Sequence, residues 1–168
     1  MDSPEPSDSD DALTGFPRRK TLPHDVPWWI PRESIYFITI NTLPPGKPQL
    51  CRDSEPHPIA SAILHAAQFY HENGKWYLHL LVVMPDHLHL LVSFPPEAEM
   101  KSTITKWKHY LARTQNIVWQ RDFFDHRLRH DESFAEKVTY LRMNPVRKNL
   151  CQHPEDWPHV LDHLKDNR

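Results

Sequence analysis

Two short patterns hold the side chains best suited to chemistry. In the run MPDHLHLLV, His87 and His89 stand two residues apart. On a strand alternate side chains leave the same face, so the two imidazoles converge while Leu88 and Leu90 pack the opposite face into the core. Neutral imidazole is a common ligand for divalent ions, and a pair at this separation can share one metal, with further ligands supplied from elsewhere. The spacing alone is a weak signal, because thirteen histidines in the chain produce chance pairs. A histidine on a half-buried strand often does no more than hydrogen-bond. Further along, KVTYLRMNPVRKNL sets Tyr140 and Asn144 four apart, which puts a phenol and an amide on one face at the end of a helix. A phenol with a pKa near ~10 is a poor nucleophile, but a metal that polarises a phosphate lowers the demand on it. Read locally, Tyr140 serves equally as an aromatic anchor and Asn144 as a helix cap before Pro145. Glu136, one turn before Tyr140, reads as a ligand, a proton acceptor or a solvated acid.

The elements that must position these residues follow from periodicity. SIYFITINT, residues 34–42, is dense in β-branched and aromatic residues and stops at Pro44-Pro45-Gly46, a strand ending in a turn. Residues 57–72 place Ile59, Ile63, Ala67 and Tyr70 at helical spacing before Asn73-Gly74. Residues 75–83 and 87–94 form a hairpin through Met84-Pro85-Asp86, with the histidines on its second strand. Residues 101–115 are helical with Ile104, Trp107 and Leu111 on one face, 123–128 form a short strand, and 133–143 are helical up to Asn144-Pro145. The order β-α-β-β-α-β-α predicts an α+β fold of ferredoxin-like or RRM-like plan. Its antiparallel sheet carries helices on one face, the histidine pair on a central strand and the tyrosine on a C-terminal helix.

The length of 168 residues suits one domain with a tail. We divide it into an acidic, proline-rich leader and extended arm at 1–32, a domain at 33–160, and a tail at 161–168. Trp28, Trp29 and Ile30 are expected to dock the arm onto the domain. No run of about 18 apolar residues occurs and the leader lacks a basic then apolar stretch, so the expectation is an unexported protein with no membrane partner. Cys51 and Cys151 are too far apart in sequence for a zinc ribbon and read as two reduced thiols. The net charge of −2 is unevenly spread: five acids fall in the first eleven residues, leaving 20 basic against 17 acidic side chains beyond them. Phosphate binding depends on local cationic surface rather than the total. Two stretches, 100–121 and 137–153, contain bases and no acid.

Taken in order, YFITIN, MPDHLHLLV, WQRDFFDHRLR and YLRMNPVRKNL resemble the REP-associated tyrosine transposases, part of the single-tyrosine HUH transposases of insertion sequences. The resemblance spans residues 35–158. It implies that His87 and His89 are metal ligands, that Tyr140 is the nucleophile, and that Asn144 supplies a further ligand. The implied ion is Mg²⁺ or Mn²⁺. The implied reaction is attack of Tyr140 on a phosphodiester of single-stranded DNA, giving a 5′-phosphotyrosine and a free 3′-OH, with hairpins of palindromic repeats as the substrate. In that setting Arg18, Arg19, Lys20, Lys106, Lys108, Arg113, Arg127, Arg129, Arg142, Arg147 and Lys148 become candidates for DNA contact, and Trp107 or Trp119 for base stacking. Asp125-His126-Arg127 also matches the family, and its reading is structural. The implied location is the cytoplasm, at the nucleoid; monomer and homodimer both remain open. Two other readings compete: a domesticated hairpin-binding protein with little cleavage activity, and a metal-dependent hydrolase that uses water in place of Tyr140.

Overall fold

The computed structural model describes residues 35–129 and 134–165. The leader, the docking expectation for Trp28, Trp29 and Ile30, and the candidates Arg18, Arg19 and Lys20 therefore lie outside the described residues. Five antiparallel strands form one sheet in the order β4-β1-β3-β2-β5. They are β1 (Ile35–Asn41), β2 (Tyr77–Val83), β3 (His87–Ser93), β4 (Phe124–Arg127) and β5 (Val160–Asp162). The helices are α1 (Pro58–Glu72), α2 (Met100–Gln115), α3 (Phe134–Arg142) and α4 (Asn144–Arg147). The α+β plan expected from the sequence is the one observed.

Strand β3 is central, paired to β1 on one side and to β2 on the other. Its even residues Leu88, Leu90 and Val92, with Ile38 and Ile40 of β1, are fully buried. They form the face on which α1 and α2 pack, through Ala60, Ile63, Ala67, Ile104, Trp107 and Leu111. Trp107 meets Trp76 edge to face at 5.3 Å, so this tryptophan belongs to the core and is not open to a base. Trp119 is likewise committed: its Nε1 donates to the Lys108 carbonyl at 3.1 Å, and its backbone bridges to Thr42.

Helix α3 lies over the other face. Three contacts place it there: Phe134 against His79 of β2, Lys137 over the Phe37 ring of β1, and Arg142 paired with Asp162 of β5. Phe37 and Asp162 belong to the register set that includes His89, Leu91, Leu80 and Val82. The tyrosine helix and the histidine pair thus share one side of the sheet. Strand β5 was not foreseen. Three residues at its level of polarity carry no legible period, and it is held by pairing with β2, by the Arg142–Asp162 ion pair and by buried Leu164. The helix expected over 133–143 is found as α3, but it does not carry Asn144. It stops at Arg142, and Asn144 opens α4 with Pro145 in its first turn, so Tyr140 and Asn144 sit on two helices rather than one. A further small difference falls after α1, where Gly74 alone takes a left-handed conformation (φ 62) while Asn73 does not.

Cys51 and Cys151 are both free, as expected; burial is the main cause that pushes the Cys51 thiol up to about 12.

His79 is buried beneath Phe134, with Nε2 3.0 Å from Ser93 Oγ. Burial, reinforced by His71 and His163, lowers its pKa to about 4. Below the ordinary histidine range the unfolded chain therefore takes up a proton that the folded chain refuses, and stability is lost as pH falls from 6.5 toward 4. The loss at the lower end should be roughly 2 to 4 kcal/mol from this group. Urea unfolding at the two ends of that window measures it, and His79→Gln should shrink the difference.

Candidate active site

The histidine pair is built by the hairpin between β2 and β3. Met84-Pro85-Asp86 closes it, with the Met84 amide donating to the His87 carbonyl at 2.8 Å. The rings of His87 and His89 then lie 4.8 Å apart between centroids, at 76° to one another. Each is oriented through Nδ1. The Asp86 carboxylate meets His87 Nδ1 at 2.7 Å, and Thr39 Oγ1 meets His89 Nδ1 at 2.8 Å. Engaging Nδ1 leaves Nε2 as the nitrogen able to offer a lone pair, the arrangement that partners of metal-bound histidines create.

Asp86 is itself tied down. Its Oδ2 accepts the Gly46 amide at 3.0 Å, and Gly46 takes φ 75 in the turn after β1, a conformation that suits glycine. Burial pushes the Asp86 carboxyl upward, but the His87 hydrogen bond and charge, with the Gly46 amide, outweigh it and hold the group below its usual range. Burial, and then the neighbouring His87, depress His89 to about 3. Its imidazole is neutral at any ordinary pH, which is the ligand form. Phe37 stacks on the His89 ring at 5.5 Å and 21°.

Tyr140 is 42% exposed on α3, and the Arg147 guanidinium lies 4.7 Å from its ring centroid. The resemblance made Arg147 a candidate for phosphate contact; in the fold it also sits on the face of the candidate nucleophile, where a cation is attracted to the ring. Asn144 is buried at 8% exposure, and its Nδ2 has no hydrogen-bond partner. Among the described residues no group of three His, Cys, Asp or Glu side chains is placed to hold an ion. In this arrangement a third protein ligand beside the two imidazoles must be of another type, such as an amide oxygen. The oxygen and nitrogen of an asparagine exchange places by a half-turn of the side chain, so the unsatisfied position of Asn144 suits either a ligand role or a donor to phosphate.

Two basic candidates are taken up by other partners. Lys108 is buried, its Nζ donating to the Gln120 and Arg121 carbonyls at 2.8 and 3.1 Å. Arg142 forms a two-pronged pair with Asp162, Nε to Oδ2 at 2.8 Å and Nη2 to Oδ1 at 3.0 Å. Both side chains are thus already engaged, Lys108 by backbone carbonyls and Arg142 by a carboxylate, which speaks against the phosphate contact that the resemblance implied. Lys106 and Arg113 are exposed on α2, across the sheet from the histidines, and Arg127 and Arg129 are exposed at and just after β4. Arg147 and Lys148 are exposed beside Tyr140 at the end of α4. Asp125-His126-Arg127 forms most of the edge strand β4, in keeping with the structural reading. Lys137 was missed: only its contact with Phe37, 5.6 Å from Nζ to the ring centroid, marks it as part of this face. Glu136 is exposed in the first turn of α3.

Residues 55–136 match the family of IS200-like transposases. That match covers just under half of the chain. The matched region contains His87 and His89 and ends four residues short of Tyr140. A candidate REP-associated tyrosine transposase of Haemophilus influenzae is 27% identical over 100 residues, covering 49% of this chain and 57% of its own. The REP-associated tyrosine transposase of Escherichia coli K12 is 29% identical over 87 residues, covering 49% of this chain and 52% of its own. The chain thus matches little more than half the length of either relative. The fold is similar to that of a REP-associated tyrosine transposase solved bound to a REP hairpin, with a TM-score of 0.62 at 21% identity over 81% of each chain. No helix among the described residues is long and apolar enough to cross a membrane.

The two Nδ1 partners should matter for metal affinity. Thr39→Val or Asp86→Ala is expected to weaken Mn²⁺ binding by roughly 10- to 100-fold while leaving the melting transition intact. Titration calorimetry reads the affinity, and unchanged binding in both variants would remove the proposed ligand role from the pair.

Proposed function

We propose that this chain is a metal-dependent endonuclease and strand transferase of single-stranded DNA. Its substrates would be hairpins of palindromic repeats, cut through a 5′-phosphotyrosine intermediate. The observation that carries the reading is that α3, which bears Tyr140, lies on the sheet face that presents His87 and His89, each with Nδ1 engaged and Nε2 left over. The match of residues 55–136 to the IS200-like transposases supports it, as does the likeness in fold to a transposase bound to a REP hairpin.

His87 and His89 would hold a divalent ion, Mg²⁺ or Mn²⁺, with Asn144 as the further ligand. Such an ion supplies charge stabilisation at a phosphate oxygen. The remaining work falls to the chain. The Tyr140 oxygen attacks phosphorus and forms the phosphotyrosine ester, the bond to the 3′ oxygen breaks, and the proton given up by the phenol is matched by the proton the 3′ oxygen takes. A 3′-OH of another strand reverses the step and frees Tyr140, so joining needs no nucleotide triphosphate. Arg147, stacked on the Tyr140 ring, restricts the side-chain rotation that would carry the phenol out of line.

Incubation of the chain with a labelled single-stranded hairpin and Mn²⁺ should yield an adduct that survives a denaturing gel, and Tyr140→Phe should abolish it. A chelator should do the same. Cleavage that persists in the Phe variant would point to hydrolysis by water, and binding with no cleavage by the unsubstituted chain would point to a domesticated hairpin-binding role.

A further inference from the structure

We propose that Phe124 is a stacking platform for an unpaired base of single-stranded DNA beside the His87 and His89 pair. The inference rests on the nucleic-acid reading above and gives it a specific base-binding position.

A phenylalanine on a strand ordinarily faces a core, yet Phe124 is 57% exposed on the outermost strand of the sheet. Its register decides which side it serves. Phe124 stands opposite Thr39, the residue that bonds His89, so it belongs to the histidine face. Its ring meets Phe37 edge to face at 6.4 Å and 70°, and Phe37 in turn stacks on His89. Lys137 stands over the same Phe37 ring. From the sheet edge inward the face therefore offers an open aromatic surface, a cation and the imidazole pair in succession. A nucleotide presents the complement in the same order: a flat base for the ring and a phosphate for the ammonium. The two tryptophans that the resemblance suggested as stacking partners are occupied elsewhere, Trp107 in the core and Trp119 by its bond to the Lys108 carbonyl. Because every base has a π face, a phenylalanine platform holds a nucleotide in position without choosing its identity.

The test uses the full chain carrying Tyr140→Phe, without metal, and a fluorescent hairpin oligonucleotide with single-stranded flanks, so that binding is read apart from chemistry. Phe124→Ala and Phe124→Leu should each weaken binding roughly 10-fold, whereas Phe124→Trp should retain it and show quenched indole emission on the complex. Removing one flanking base at a time should find a position where the abasic oligonucleotide binds as weakly to the Phe124 chain as the intact one binds to Phe124→Ala, with no further loss when both changes are combined. Full affinity in Phe124→Ala overturns the inference. So does an equal loss on every abasic oligonucleotide, or a dimer that Phe124→Ala dissociates with DNA affinity unchanged, which would make the ring a contact between copies of the chain. Absence of any single-strand affinity in the parent chain would sink both this inference and the proposed function; base-dependent loss at Phe124 with no covalent adduct in the unsubstituted protein would sink the chemistry alone.

Discussion

Everything on the chemical side of this protein depends on the register of β3. The strand alternates strictly, with Leu88, Leu90 and Val92 entering the layer under α1 and α2, and His87, His89 and Leu91 facing α3. A slip of one residue against β1 would drive both imidazoles into an apolar layer and turn the leucines outward. The fully buried leucine face makes such a slip costly, since each buried leucine is worth about 1.5–3 kcal/mol. The packing that stabilises the sheet is thereby the device that aims the histidines.

Aim alone leaves each ring free to rotate about its side chain, and the fold closes that freedom with two different partners. Thr39 is supplied by register, standing directly across from His89 on β1. Asp86 is supplied by the hairpin turn, and the turn after β1 holds it through the Gly46 amide. Thr39 lies in β1 itself and Asp86 is anchored by the turn that follows it, so β1 and its turn together hold both imidazoles in place. The depressed pKa of His89 follows from the same packing: burial under Phe37 disfavours the imidazolium and preserves the neutral ring.

Much of this was legible from the sequence because it is written in period and punctuation. The alternation in HLHLLV, the helical spacing of Ile104, Trp107 and Leu111, and the Pro-Pro-Gly stop after β1 each have a local cause. Strand β5 had none, since Val160–Asp162 is a strand only through its pairing with β2. Charge was the poorest guide. Lys108 and Arg142 sit in acid-free runs that read as phosphate-binding surface, yet one caps backbone carbonyls and the other meets Asp162, a partner twenty residues on that no spacing rule connects to it. Tyr140 and Asn144 were assigned through resemblance to a family; the helix end before Pro145 was legible to within a residue, but the short α4 that takes up Asn144 was not.

The attachment of α3 differs in kind from that of α1 and α2. Those two bury apolar stripes against a dense layer, whereas α3 contributes Val138 and Leu141 as its buried residues. Its remaining hold on the sheet is polar or aromatic and reaches three separate strands: Phe134 to β2, Lys137 to β1, Arg142 to β5. An element with few buried apolar contacts belongs to the lower end of local stability within a domain. Spreading its anchors over three strands fixes its direction across the sheet without a large core beneath it, and β5, a strand of three residues, acquires its purpose as the far anchor. The helix that carries the candidate nucleophile is therefore positioned by side-chain pairs spread along its length, with the tyrosine between Lys137 and Arg142 partly open to solvent.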